Sequence, residues 1–177
     1  MTKTKRAGAP KKRSAPKAEP PNAFQLAAEV ADHVEIEGVV LRSASYQRAR
    51  DSENEDTGVD PIQILIEHEI EHELERGGRR LRVYPAFVVR GEVEDARRSA
   101  VFEIRCEFEL VYSLTAPTAL DEACIQAFAN VNGVFNSWPY FREFVQSAST
   151  RLGLPPLVVP VFQFHRGPSG ASGKLKR

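Results

Sequence analysis

From residue 62 to residue 75 the chain alternates with a period of two. The even positions are Ile62, Ile64, Ile66, His68, Ile70, His72 and Leu74, and the odd ones include Glu67, Glu69, Glu71, Glu73 and Glu75. Such a run predicts a strand with one buried and one wet face. A helix competes, because Asp60-Pro61 and Gly77-Gly78 resemble helix start and stop signals, and Ile62, Ile66, Ile70 and Leu74 fit a helical stripe. Pairing decides between them. Gly77-Gly78 suits a two-residue hairpin turn, whose central residues need positive φ. That turn sets Leu74 opposite Leu81, His72 opposite Val83, His68 opposite Phe87 and Ile66 opposite Val89. It also sets Glu75 opposite Arg80 and Glu73 opposite Arg82, and a one-residue slip would spoil both faces. Pro85 falls opposite Ile70 and cannot donate, so a bulge or a lost bond is expected there.

Three more strands follow from the same period: about 33–48 with Val34, Ile36, Val40 and Tyr46 on one face, about 79–92, and about 97–114. A hairpin built around Glu94-Asp95 would place Phe87 opposite Phe102, Val83 opposite Cys106, Arg82 opposite Glu107 and Arg80 opposite Glu109. Two Glu–Arg–Glu rows would then cross the wet face. After Pro117 the period changes. Thr118 can cap a helix bearing Leu120, Cys124, Ile125, Phe128 and Val131, which Asn132-Gly133 interrupts or ends. Ser137-Trp138-Pro139 starts a second helix with Pro139 in its first turn, a stripe of Trp138, Phe141, Val145, Ala148 and Leu152, and a stop at Gly153. Residues 154–162 hold Pro155, Pro156 and Pro160, so they form an extended apolar segment. Residues 24–31 suit a short helix. The expected fold is α+β: a four-stranded antiparallel β-sheet with C-terminal helices packed on one face.

The 24 basic and 24 acidic groups cancel but are segregated. Residues 1–22 carry +6, residues 165–177 carry +4, and residues 23–164 carry −10. All seven lysines lie in the two end segments. Neither end has apolar groups to offset the entropy of ordering, so both are expected to be disordered basic tails flanking one domain at 23–164. No nucleic-acid recognition module accompanies the charge, so nucleic acid is not expected as the main partner. No run approaches the roughly 20 apolar residues of a membrane helix, so no membrane insertion is expected. Two cysteines without CxxC spacing fit reduced thiols in a cytoplasmic protein.

His68-Glu69-Ile70-Glu71-His72 matches HExxH, which binds zinc when both His share one helix face. On a strand they would stand about 13 Å apart, too far for one metal. A zinc metallohydrolase using this segment is the alternative from another class, and it stands only if 62–75 is helical. There is no Gly-rich phosphate loop, GxSxG or CxxC pair. No catalytic residue, cofactor or metal is therefore expected. Glu69, Glu71 and Glu73 are candidates for a partner-docking acidic sheet face. The cluster Phe135, Trp138, Tyr140, Phe141 and Phe144, with 154–162, holds more apolar surface than one side of a sheet covers, which points to self-association or an apolar groove.

Trp138-Pro139-Tyr140-Phe141-Arg142-Glu143, then Ser149-Thr150-Arg151-Leu152-Gly153-Leu154-Pro155-Pro156-Leu157, following a long antiparallel four-strand unit, resembles the SecB export chaperones. The resemblance spans about 33–164. It implies a cytoplasmic holdase that binds unfolded polypeptides or preproteins without chemistry, as a homotetramer built from two dimers. Some members deliver clients to the SecA motor of the Sec translocase, and others serve toxin–antitoxin systems with an antitoxin as partner. The clustered aromatics and the pre-extended 154–162 point to a client groove between the helical layer and that segment, with Trp138, Tyr140, Phe141, Phe144, Leu157 and Phe162 as wall candidates. Trp138 and Phe141 head the helix stripe and are expected in the core, which makes Tyr140, Phe144 and Phe162 the sharper candidates. Phe128, Val131 and Phe135 are the interface candidates for the implied tetramer. The sequence departs from the family at 165–177, where members carry an amphipathic helix and this chain is Gly-rich and basic.

Overall fold

A computed structural model describes residues 21–49, 62–93, 100–115 and 120–162. Residues 1–20 of the first basic tail, all of the second, the Glu94-Asp95 turn and the Thr118 cap lie outside the described residues; Asn22, placed in the first tail, instead caps α1. Helix α1 (Ala23–Ala31) leads into β1 (Val34–Arg48), β2 (Ile62–Leu74), β3 (Arg80–Val93) and β4 (Ala100–Leu114). Helix α2 (Glu122–Phe128) runs through a π-helical turn (Ala129–Gly133) into α3 (Val134–Arg151). The strands form one antiparallel sheet in the order β1-β4-β3-β2, and the helices cover one of its faces, giving the α+β fold expected.

Segment 62–74 is a strand, and its pairing with β3 is the predicted one, including Leu74↔Leu81, Glu73↔Arg82, His68↔Phe87 and Ile70↔Pro85. The turn differs in detail. Glu75 and Arg80 close the ladder (Glu75 N–H to Arg80 O, 2.9 Å), and the Gly78 N–H bonds to Glu75 O within a four-residue loop. Both loop glycines do take positive φ, 101° at Gly77 and 65° at Gly78. The loop is centred where the shorter turn would be, so the register survives. Pro85 causes no bulge against β2. Instead the β3–β4 ladder skips Tyr84 and Pro85 between Val83↔Leu110 and Ala86↔Glu107, with the register unchanged.

Four expected pairings are corrected. Phe87 pairs with Cys106, not Phe102, Val83 with Leu110, not Cys106, Arg82 with Val111, not Glu107, and Arg80 with Ser113, not Glu109. The shift is four residues. Being even, it keeps every side chain on its expected face, so alternation alone could not detect it. The charged rows form with other partners: Arg82 bridges Glu75 (2.7 Å) and Glu109, and Arg90 bridges Glu67 and Glu103 at 2.8 Å each. In β1, irregularities at Ile36/Gly38 and Leu41/Ser43 flip the side-chain parity twice. Val40 therefore lies opposite Glu109 on the outer face, while Val39 and Leu41 take the helix-facing positions opposite Leu110 and Phe108.

α1 begins at a capping box in which Asn22 accepts from the Gln25 N–H and Gln25 accepts from the Asn22 N–H. α2 is capped by Asp121, whose carboxylate accepts from the Ala123 N–H at 3.2 Å. Asn132-Gly133 widens the helix into a π turn without ending it. A Cβ at Gly133 would meet Val83 Cγ1 at 2.7 Å, so glycine lets the helix lie close on β3. α3 starts at Val134, earlier than expected, which moves Pro139 from the first turn to the helix interior. Ser137 Oγ–H donates to the Gly133 carbonyl at 2.7 Å near this point. The predicted stripe holds: Trp138, Phe141, Val145 and Ala148 are buried, and Gly153 (φ 72°) stops the helix.

The core centres on Phe87, stacked on Phe141 at 4.3 Å and flanked by Trp138 and Phe108. Coverage thins toward both sheet edges. Ile36 and Leu41 on β1 and Ile62, Ile64 and Leu74 on β2 are exposed. No described helix is long and apolar enough to cross a membrane.

Candidate polypeptide-binding groove

Three prolines in 154–162 exclude a helix and remove backbone donors, so this segment holds on through its carbonyls and its remaining N–H groups. One face of α3 supplies the partners. Trp138 Nε1–H donates to Pro160 O at 2.9 Å, and Arg142 Nε–H donates to Val159 O at 2.8 Å. The Leu157 N–H donates to Ser149 Oγ at 3.0 Å, and that hydroxyl donates to Gln146 O. The Phe162 ring packs 4.9 Å from Trp138. The segment is a strap fastened along α3. Ser149 is fully buried, so Ser149→Ala leaves the Leu157 N–H without its acceptor. The expected loss is about 1 kcal/mol, with faster hydrogen exchange at Leu157 and little change in β4 exchange as the check.

Between strap and sheet lies an apolar groove of about 300 Å³. Its walls are Ile62, Ile64 and Ile66 of β2 on one side and Leu157–Pro160 on the other, with Val89 and Val145 also lining it. Val158 stands 79% exposed at its lip. Among the described residues β2 is an edge strand, so the groove runs beside backbone groups that no described strand pairs.

Of the six wall candidates from the sequence, Leu157 lines this groove. Trp138 and Phe141 are core residues beneath it, at 6% and 0% exposure. Phe162 packs on Trp138, and Phe144 is half-buried against the core. Tyr140 is exposed and stands over Phe108, whose β1 partner is Leu41. The strap was expected as a wall, but the facing aliphatic wall from β2 was missed. Its signal was a strand end rich in isoleucine next to a Pro-bracketed aliphatic run. Among the interface candidates, Phe135 is exposed and Val131 half-buried. Phe128 is corrected to a core position, 1% exposed with its ring 5.1 Å from Tyr112, because the helix turns this side toward the sheet. Glu69, Glu71 and Glu73 are exposed on the outer sheet face.

His68 and His72 occupy the strand and not the helix that a zinc protease motif needs. The His68 ring lies 6.2 Å from Phe87, and His72 Nε2 meets Glu122 Oε1 at 2.9 Å. Among the described residues no group of three or more His, Cys, Asp or Glu is placed to hold a metal. Burial pushes the Cys106 thiol up to about 12. Cys124 donates to Glu29 at 3.2 Å, and that carboxylate, with burial, raises its pKa too. Both thiols are held protonated, which suits packing and not nucleophilic attack.

Burial lowers the His68 pKa below its ordinary 6.5. The folded state keeps this ring neutral while the unfolded chain takes up a proton. Its contribution is therefore fully present above pH 6.5 and is lost as pH falls toward the folded value. His68→Leu is expected to flatten the fall in stability as the pH drops below 6.5, measured by urea unfolding at each pH.

No protein-family model matches the chain, and no curated protein matches it. Solved structures do. The SecB-like chaperone Rv1957 of Mycobacterium tuberculosis, in complex with a ChAD peptide from the HigA1 antitoxin Rv1956, superposes with a TM-score of 0.67 at 20% identity. The match covers 79% of this chain and 98% of that one. A Streptococcus agalactiae protein of unknown function matches at a TM-score of 0.42 and 10% identity, covering 72% of this chain and 96% of that one. That score is too low to add to the comparison. The four-stranded antiparallel sheet, the helices packed on it and the Rv1957 likeness agree, and the chain has the SecB-like fold.

Proposed function

We propose that this protein is a SecB-like holdase that binds extended apolar segments of non-native polypeptides in the groove between β2 and the strap. The observation that carries the reading is the groove itself: an open aliphatic trough on an edge strand, in a fold shared with a peptide-binding chaperone. Burial of client side chains supplies the affinity, at roughly 25 cal/mol per Å². The strap is already extended and fastened, so little ordering cost falls on binding. Such a site binds without nucleotide or bond chemistry, in the cytoplasm. Because Rv1957 was solved with an antitoxin peptide, an antitoxin segment is the first specific partner to try. Delivery of preproteins to SecA is the second.

The experiment is suppression of aggregation of a reduced, unfolded reporter protein. Suppression near equimolar chaperone is expected. Its absence would overturn the reading.

The assembly proposed with it is a homotetramer. Ile36, Leu41 and Tyr46 of β1 and Phe135 and Tyr140 of α3 are all 39% or more exposed, and a second copy would cover such apolar surface. Sedimentation at micromolar concentration should give about four times the 19.7 kDa chain mass. A folded, well-behaved monomer would contradict it.

A further inference from the structure

The two sheet edges are unlike. β1 carries two register irregularities, which blunt an edge. β2 pairs with β3 over 13 residues without one, and its other side has no partner among the described residues. Along its outer face Glu67 is held by Arg90 and Glu75 by Arg82. Between them Glu69, Glu71 and Glu73 are exposed and make no ion pair among the described residues. Three carboxylates at alternate strand positions, about 7 Å apart, repel one another and favour a cationic neighbour.

The described residues contain no lysine. All seven lie in 1–20 and 163–177. The first segment joins at Asn22, the cap of α1, which packs on α2. The second follows Phe162, which packs on Trp138 two residues beyond the part of the strap that lies beside Ile62–Ile66 of β2. Glu69–Glu73 lies about 10–25 Å further along that strand. The chain from Phe162 to Lys174 spans at most about 43 Å, so it reaches. Its pattern also matches. In extended form Lys174-Leu175-Lys176 puts both lysines on one face and Leu175 on the other. Laid along β2, the lysines meet the glutamate row while Leu175 falls beside Ile70, His72 and the exposed Leu74.

We propose that segment 163–177 of this chain docks along its own β2 edge, with Lys174 and Lys176 against Glu69, Glu71 and Glu73. This occupant shares an edge with the groove and would compete with any strand added there, whatever the groove's own ligand.

The test is carbodiimide cross-linking of the full chain at low ionic strength, mapped by mass spectrometry on ¹⁵N-labelled and unlabelled protein unfolded and refolded together so that assemblies contain both labels. Cross-links from Lys174 or Lys176 to Glu69, Glu71 or Glu73 are expected. They should join chains of one label only and vanish near 1 M salt, where screening acts within about 3 Å. Cross-links to these glutamates only from Lys3–Lys17, mixed-label cross-links that place the segment on a second copy, or none at all, would overturn the proposal. As a second readout, the full-length Glu69→Gln/Glu71→Gln/Glu73→Gln variant should be cut by trypsin after Lys174 several-fold faster than the parent at low salt. Equal rates would overturn it too. Neither readout involves a client, so holdase activity stands or falls separately.

Discussion

Replacing Ile64 and Val158 together by aspartate is expected to weaken binding of an extended apolar peptide by tenfold or more, at roughly 1.5–3 kcal/mol for each lost apolar burial, while the fold persists. Both residues line the groove, one on each wall. Val158 is 79% exposed, so the free protein loses little packing there, while Ile64 at 36% loses more and is the reason the fold is checked directly. A surface substitution such as that of Val158 usually costs within about 0.5 kcal/mol. A client segment lying between them would bury both side chains, and an aspartate there would be desolvated without a partner. Fluorescence anisotropy of a labelled peptide gives the affinity, and circular dichroism checks the fold. Tyr140→Ala, on the other flank of α3, is the control and should change affinity less than about twofold. Unchanged affinity in the double variant would move the site elsewhere.

The largest stability effect is expected at Phe87→Ala, about 3–5 kcal/mol. Phe87 is 1% exposed and touches both layers. It stacks on Phe141, meets Trp138 edge-on at 5.9 Å, and lies 6.3 Å from Phe108 in its own sheet. Its truncation opens a cavity between sheet and α3 that rigid neighbours on both sides cannot fill. Against a typical total of about 5–15 kcal/mol, that loss leaves a marginal protein. Urea unfolding measures it. A loss under about 1 kcal/mol would mean that α3 does not dock on β3 as described.

The β2–β3 hairpin was legible because two independent faces constrained one register. Apolar residues had to meet apolar ones, and Glu73 and Glu75 had to meet arginines. The β3–β4 register was not legible to the residue. Alternation fixes only odd against even, and the turn that would set the count carries no strong turn residue. β1 defeated the period for a different reason: its two irregularities fall at Glu37 and Arg42, which look like ordinary strand residues. The helix stripe from Trp138 to Ala148 was clear, since aromatics recur at helical spacing. The groove was half legible. Its strap was visible in three prolines, and Leu157 among its walls. The other walls were not, because Ile62 and Ile64 carry the same pattern as buried strand positions. Only the tertiary structure shows that the helical layer stops short of them. Of the aromatic wall candidates, Trp138 and Phe141 do their work underneath, as their place at the head of the helix stripe suggested, while Tyr140, Phe144 and Phe162 do not line the groove.

Hydrogen exchange of the full chain, with and without a reduced and alkylated unfolded polypeptide, tests the central claim most directly. Protection should rise in residues 62–66 and 157–161, the two walls of the groove, while 104–110 in the covered centre of β4 stays as it was. Binding of that polypeptide with protection gained away from both walls would contradict the account.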